Sequence, residues 1–546
     1  MTAKKIVYNT WAFPLVAAVF VAFLAYLMLA MGPSYIMAPW DVFILLDEAW
    51  RILCGQVAHT DFHNPIGPLS YSLTALGMKI GDVSLAGYTY GNVLFLVVVS
   101  IWGGVVFFSR LRPTYGLLLT LFVAILAAAT RPLGYSPYIT TYAMIYNRYG
   151  WILLAIAYVQ LFVAPVGDSA NKSRIDAFSA GLLLGFLFYC KITYFVFGVA
   201  GLAFAATLRA PIRKAISLSA FGFVLVCIGF WITIGVNPAD YARDFLAAGH
   251  AQSFDRRLWH LMKAVAQNYW QIPLAGIVWF LLAVEPAWRS GAMRADALKL
   301  SVVYFFILGT ALVLTVSNAE EGSDVPFFFV AGIVLLQQAE RTWHLSPLTE
   351  IRKKNWKYVV SAGVIVLGFF ANIVVKDIWS IGNSLAGSAY AAAAENQEQR
   401  FDSPRLHNFL IPATSRWRTS YWEADKVPEA INDGLQLIRR HIDKDGQINV
   451  LALTDPFSFA LGLVPPKGIP VWWDMDFSFS ATAHPSYDQV FGQSNFVLYP
   501  ILRASDKGCC RDNVEALLGI YGTTLERDFA EVERSKYWIL LKRKRS

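Results

Sequence analysis

The sequence predicts a polytopic α-helical membrane protein with a soluble α/β domain at its C-terminal end. Of 546 residues, 56% are hydrophobic and only 15% are Asp, Glu, Lys or Arg. Apolar runs near the length of a bilayer crossing recur up to residue 375, and beyond Lys376 short helix-like and strand-like patterns replace them. Ordinary soluble domains are about 45–50% apolar and about 25% charged. A mean hydropathy of +0.45 therefore excludes a typical soluble enzyme, a disordered chain or a coiled coil. Five Cys without paired spacing exclude a disulfide scaffold or zinc module as the organising principle. In a membrane protein a net charge of +8 reports orientation before it reports a partner, and no nucleic-acid partner is implied.

A bilayer core of about 30 Å needs about 20 apolar residues per helix. Trp11–Met31 meets this; it follows Lys4 and Lys5 and lacks a small-residue cleavage site, so it reads as a retained first span. Further spans are expected at Tyr88–Phe108, Thr114–Thr130, Tyr149–Pro165, Ala215–Val236, Ile272–Leu282 with its flanks, Leu300–Val316, Pro326–Leu336 and Val359–Val375. Ala177–Leu208 decides the topology. It is 32 residues long, too many for one ordinary span, with Lys191 in its middle. Two short helices turning at Lys191 put Lys172/Arg174 and Arg209/Arg213/Lys214 on one side, as the positive-inside rule favours.

That choice makes about 11 spans. Lys4/Lys5, Arg110/Arg112, Lys172/Arg174, Arg209/Arg213/Lys214, Arg289/Arg294/Lys299, Arg341 and Arg352–Lys357 then face the cytoplasm. The expected organisation is a membrane domain over 1–376, with a first external loop and interfacial helices at 32–87. A linker over 377–405 and an extracytoplasmic α/β domain over 406–546 follow. Ser384–Arg405, rich in Ala, Ser, Asn and Gln, reads as the linker. In the outer domain the pattern predicts helices at Val427–His441 and Asn513–Leu518, and strands at Ile448–Leu453, Phe496–Tyr499 and Tyr537–Leu541.

The first external loop carries the densest polar set: Asp41, Asp47, Glu48, Arg51, His59, Asp61, His63 and Asn64. On a helix, Asp41 and Glu48 are seven residues apart and share nearly one face, with Asp47 turned by about 100°. Carboxylates held beside a membrane suit a general base or a cation site; the alternative is a solvated amphipathic helix. His59, Asp61 and His63 alternate like metal ligands, but a tetrahedral site asks for a distant fourth contributor. Asn64-Pro65-Ile66-Gly67-Pro68 breaks the helix before the short amphipathic run Leu69–Ile80, which suits the interface. Elsewhere, Glu320, Glu321 and Asp324 form a second acidic cluster. The long loop Asn237–Gln271 holds Asp244, Asp255, Arg256 and Arg257 with belt-like Trp259, Tyr269 and Trp270. Trp472-Trp473-Asp474-Met475-Asp476 reads either as a sugar-stacking platform or as core aromatics, and Cys509-Cys510 as free thiols or a vicinal disulfide.

Two segments carry a resemblance. One is Ala49-Trp50-Arg51-Ile52-Leu53-Cys54-Gly55-Gln56-Val57, followed by Asp61-Phe62 and Gly67-Pro68-Leu69-Ser70-Tyr71. The other is the helix from Ala180-Gly181 to Tyr189-Cys190-Lys191. Together they resemble the GT-C membrane glycosyltransferases, in the branch that uses polyprenyl-phosphate sugars and includes protein mannosyltransferases and the lipid A aminoarabinose transferase. The resemblance implies a sugar donor on a polyprenyl phosphate and an external carboxylate as base. The product is an inverted linkage to a lipid-linked or cell-envelope glycan acceptor. Asp41 is the first candidate base by spacing, lying fourteen residues before Gly55; Asp47 and Glu48 have the family's paired acids but lie closer. Lys191, Arg131 and Arg148 are the candidate donor-phosphate residues, and Asp61 and His63 the candidate substrate-binding residues. The scheme requires no cofactor or metal, although the acidic loops could hold a divalent cation. The implied place is the inner cell membrane, with the N-terminus cytoplasmic. The alternative reading is a transporter or flippase of a lipid-linked saccharide, which calls for inverted repeats or charges buried mid-helix.

Overall fold

The computed structural model describes residues 11–32, 39–167, 170–251, 254–290, 294–317, 324–342, 350–393, 400–407, 409–411, 426–443, 446–502 and 509–544. Lys4, Lys5, Glu320 and Glu321 lie outside them, as do the side chains of Asp255, Arg256, Arg257, Cys509 and Cys510. The chain forms a helical bundle followed by a smaller mixed domain. Among the described residues, seven helices are long and apolar enough to cross a membrane: Ala12–Met31, Ala86–Phe108, Asn171–Cys190, Ile216–Ile234, Gln271–Trp288, Ala295–Val316 and Lys357–Tyr390. Pro113–Ala128 and Ile192–Leu208 are apolar but shorter. Ile145–Phe162 is buried along nearly its whole length and carries Asn147 and Arg148 in its first turn, which lowers its hydropathy.

The chain does turn at Lys191. One helix ends at Cys190, Lys191 is extended, and the next helix starts at Ile192. Arg209 bonds the carbonyls of Gln160 and Leu161, Lys172 that of Val166, and Arg341 that of Ala164, while Arg110 pairs with Asp176. These basic groups therefore gather beside Phe162. Lys191 instead meets Asn147, at the other end of the 18-residue helix Ile145–Phe162. At 1.5 Å per residue the two ends are about 27 Å apart. The hairpin follows from satisfying charge at both ends.

Three expectations need correction. Ser384–Arg405 is not a linker from its start: the helix Glu350–Ala393 runs through Ser384. Its Ala-rich stretch has high helix propensity, and Thr130 Oγ1 bonds Ser380 Oγ at 3.0 Å and Ser384 Oγ at 2.5 Å. The segment Asn237–Gln271 is not a loop but two helices, Pro238–Ala251 and Phe254–Gln267. Asn237 caps the first by accepting the Ala239 N–H at 3.0 Å, with Pro238 at the position helices favour. The helix expected at Asn513–Leu518 extends over Cys509–Asp528.

Among the described residues the strands are β1 (Phe62–His63), β2 (Ile448–Val450), β3 (Ile469–Pro470), β4 (Phe496–Pro500), β5 (Phe529–Arg534) and β6 (Trp538–Arg543). The outer domain is a four-stranded sheet in the order β2-β4-β6-β5, with β2 parallel to β4 and the other pairs antiparallel. Helix Val427–His441 lies on it, receiving the Trp538 Nε1–H at the Ala430 carbonyl. A separate core of Trp473, Phe479, Phe491, Tyr521 and Phe529 fills the other side, so Trp473 is a core residue and not a sugar platform. β1 pairs in parallel with β3, fastening the first loop to the outer domain across more than 400 residues of sequence.

Leu69–Ile80 is a helix as expected, packed on Ala86–Phe108 so closely that a methyl on Gly77 would overlap the Gly87 carbonyl oxygen. Gly77→Ala should therefore cost about 1–3 kcal/mol of stability. Gly363→Ala, where a methyl meets nothing within 4 Å, should be neutral or mildly stabilising. Thermal unfolding of the two variants in detergent measures the difference.

Candidate active site

The first loop builds two polar clusters on the helix Trp40–Leu53. The first is closed. Asp47, Glu48 and Arg51 are at most 1% exposed. Arg51 Nε donates to Asp47 Oδ2 at 2.8 Å, and its Nη1 to the Pro466 carbonyl at 2.8 Å. Gln56 Nε2 donates to the Pro465 carbonyl at 2.6 Å, and Trp50 Nε1 to that of Leu463 at 2.8 Å. Glu48 accepts from Asn64 Nδ2. Burial pushes the Asp47 carboxyl up to about 7, with Arg51 opposing, and holds Glu48 well above the ordinary carboxylate range.

Beside this cluster, Asp244 reaches across from helix Pro238–Ala251. Its two oxygens take His59 Nδ1 and His63 Nδ1, each at 2.9 Å. Burial pulls Asp244 upward, but these hydrogen bonds outweigh it and hold its carboxyl below the usual range. His59 is depressed by burial, with Asp244 opposing, and its Nε2 meets the Tyr71 hydroxyl at 3.2 Å. His63 Nε2 faces Gln489 Nε2 of the outer domain at 3.0 Å. Asp61 accepts the Val57 N–H at 2.9 Å and pairs with Lys467 at 3.1 Å. Asp61 and His63 thus contact the outer domain, where the sequence suggested substrate. The alternating-ligand strand is not formed either: β1 covers only Phe62–His63, and His59 has a left-handed φ of 66°.

The second cluster is more open. Asp41, in the first turn of the same helix, is half-buried and accepts the backbone N–H of Met144. Desolvation raises its carboxyl to about 6, with the Met144 hydrogen bond opposing. Met144 has a left-handed φ of 55° and starts the helix Ile145–Phe162. The same turn receives Lys191: its Nζ donates to Asn147 Oδ1 at 3.3 Å and lies 5.2 Å from the centre of the Tyr146 ring. Cys190 Sγ contacts the Tyr146 carbonyl at 3.1 Å. Gly67 is required nearby, because a side chain there would overlap the Tyr189 carbonyl. Asp41 and Lys191, 150 residues apart, therefore meet one four-residue segment, Met144–Asn147.

Arg131 and Arg148 are placed differently from the sequence expectation. Arg148 holds Asp377 through both terminal nitrogens, at 2.9 and 3.0 Å. Arg131 pairs with Asp324 at 2.7 Å and with Asp377 at 2.9 Å, and Lys376 pairs with Asp324 at 2.6 Å. Both guanidiniums are buried and paired with carboxylates, which makes them struts of the fold; of their nitrogens, Arg131 Nη2 alone has neither a hydrogen bond nor an ion pair among the described residues. Asp244, Met144, Asn147 and Asp377 were not singled out for these roles by sequence reasoning. Each acts through a partner distant in the chain, and no local spacing signals that.

No family model matches the chain, and no curated protein matches it. Among solved structures, it overlaps two crystal structures of ArnT from Cupriavidus metallidurans at 13% identity, over 96% of this chain and 97% of theirs. The TM-score is 0.47 for the apo state and 0.45 for the form bound to undecaprenyl phosphate. A third overlap, with the Archaeoglobus fulgidus oligosaccharyltransferase in complex with zinc and sulfate, has 12% identity and a TM-score of 0.31. It covers 88% of this chain and 67% of that one.

Arg51→Met leaves the Asp47 carboxylate buried without its partner and should cost about 3–5 kcal/mol. Adding Asp47→Leu removes the stranded charge and should restore most of that loss. Thermal unfolding of the single and double variants completes the cycle, and equal losses in both would refute the pairing.

Proposed function

We propose that this chain is an integral-membrane glycosyltransferase of GT-C type. It moves one sugar from a polyprenyl-phosphate donor to a lipid-linked or cell-envelope glycan on the far side of the membrane from its basic loops. The observation that supports this reading is the convergence of a desolvated carboxylate, Asp41, and a cation, Lys191, on the turn Met144–Asn147. An inverting transfer needs those two charges near one reacting centre. Asp41 takes the proton from the acceptor hydroxyl. The oxygen attacks the anomeric carbon in line, the bond from that carbon to the phosphate oxygen breaks, and the lipid phosphate leaves with the electron pair. Lys191 offsets the charge that develops on it. Asp47 and Glu48 suit the base role less, because Arg51 and Asn64 occupy them and neither is exposed. The Lys191 ammonium supplies the positive charge, so the scheme asks for no metal.

The pH dependence follows from the sign of the Asp41 shift. A base must be unprotonated, so kcat/KM should fall about tenfold per unit as pH drops below about 6, and level off above it. Asp41→Asn should remove that limb and lower turnover by about 10²–10⁴-fold. Lys191→Met should lower it by about 10²-fold or more. Transfer from radiolabelled polyprenyl-phosphate sugars in proteoliposomes measures all three. Full activity of Asp41→Asn would refute the assignment, and saccharide movement across vesicles without donor cleavage would favour transport.

A further inference from the structure

We propose that Asn147 and Thr193 complete an anion site around Lys191 that holds the phosphate of the lipid-linked donor. This rests on the glycosyltransferase reading and deepens it. The N-terminal ends of two helices meet at Lys191. It is the capping residue of Ile192–Leu208, and its ammonium contacts the first turn of Ile145–Phe162. Helices of 17 and 18 residues each bring about half a positive charge at their N-terminal end, so the lysine stands where both dipoles favour an anion.

Two side-chain observations make this a site and not merely two helix ends. Asn147 is 0% exposed, and its Nδ2 has no hydrogen-bond partner. Thr193 Oγ1, two residues past Lys191, is likewise buried without a partner. An orphaned buried donor costs about 1–3 kcal/mol, so each calls for an explanation. The Asn147 amide presents Oδ1 to the ammonium, so its orphan N–H lies within one amide's width of that charge. A phosphate drawn to Lys191 meets the Asn147 amide on which that ammonium rests. Its several acceptor oxygens then take the Nδ2–H and the Oγ1–H while the ammonium pairs with another. Asp41 holds the adjoining Met144 amide from the helix Trp40–Leu53, beside this site.

The test is direct binding of undecaprenyl phosphate, with undecaprenol as the uncharged control, to the full-length protein in nanodiscs. Asn147→Ala and Thr193→Val should each weaken binding of the phosphate lipid about tenfold or more, the worth of a hydrogen bond to a charged group. Binding of undecaprenol should be unchanged. Asn147→Asp, which sets a carboxylate beside Lys191 in nearly the same shape, should weaken phosphate binding further while unfolding at the parent temperature. The proposal is overturned if Asn147→Ala and Thr193→Val bind the phosphate lipid as the parent does while Lys191→Met does not. Equal losses for undecaprenol and its phosphate would overturn it too, because the effect would then be packing alone. If Lys191→Met also binds normally, the glycosyltransferase reading of this site fails with it.

Discussion

The bidentate pair between Arg148 and Asp377 is the interaction on which the rest of this end of the molecule depends. Both groups are buried, and a lone charge at that depth costs several kcal/mol. Meeting that demand joins three elements. Arg148 lies in the first turn of the helix Ile145–Phe162, Asp377 belongs to Glu350–Ala393, and Arg148 also bonds the carbonyls of Leu126, in Pro113–Ala128, and of Arg131 just beyond it. Arg131, Asp324 and Lys376 extend the same network. Arg148 is also the neighbour of Asn147 and lies four residues past Met144. The charges that lock the bundle therefore fix the turn on which Asp41 and Lys191 meet, so a strut residue acts on the candidate site without touching it.

The helix Trp40–Leu53 is held at its other end by the outer domain. Asp41 lies at the bundle end, while Trp50 and Arg51, nearly three turns away, donate to the carbonyls of Leu463 and Pro466. Arg405 stacks on the Trp50 ring at 4.1 Å, and Phe43 packs on Phe401 and Phe409. β1 and β3 continue the seam, and Asp244 closes the third side by binding both loop histidines. A loop fastened on three sides can present a carboxylate at a fixed place, which general-base chemistry requires.

Features set by local chemistry were legible in the sequence. Leu69–Ile80 and Val427–His441 occur at the expected residues, and the turn at Lys191 followed from an over-long apolar run and two basic clusters. Features set by distant partners were not. Nothing within Phe62–His63 says that it pairs with Ile469–Pro470, and the Asn237 cap of a helix in the supposed loop is one hydrogen bond among many polar residues. Arg131 and Arg148 show the opposite case. Their positions suggested cations waiting for a lipid phosphate, but the acids that neutralise them lie nearly 200 residues or more further along the chain. Asp41 was favoured on spacing alone, and the physical difference from Asp47 and Glu48 is access.

The placement of charge also bears on transfer against transport. A carrier moves its substrate past the midplane and needs polar or broken-helix sites there. Among the described residues of this bundle, the buried ion pairs stand at the two ends of the helix Ile145–Phe162. Arg110 with Asp176 lies at one end, beside the half-exposed Arg112 that pairs with Glu340, and Arg148 and Arg131 with Asp377 and Asp324 lie at the other. The stretch between, Trp151 to Ala157, is apolar and at most 2% exposed, packed against its neighbours. A saccharide headgroup passing along it would shed its water and meet only the Trp151 Nε1–H in return, at a cost of several kcal/mol for its hydroxyls. Lys191 breaks a helix, but it does so at the end where Asp41 and the outer domain lie. The polar groups thus favour a substrate that is approached, cleaved and released at one face of the membrane.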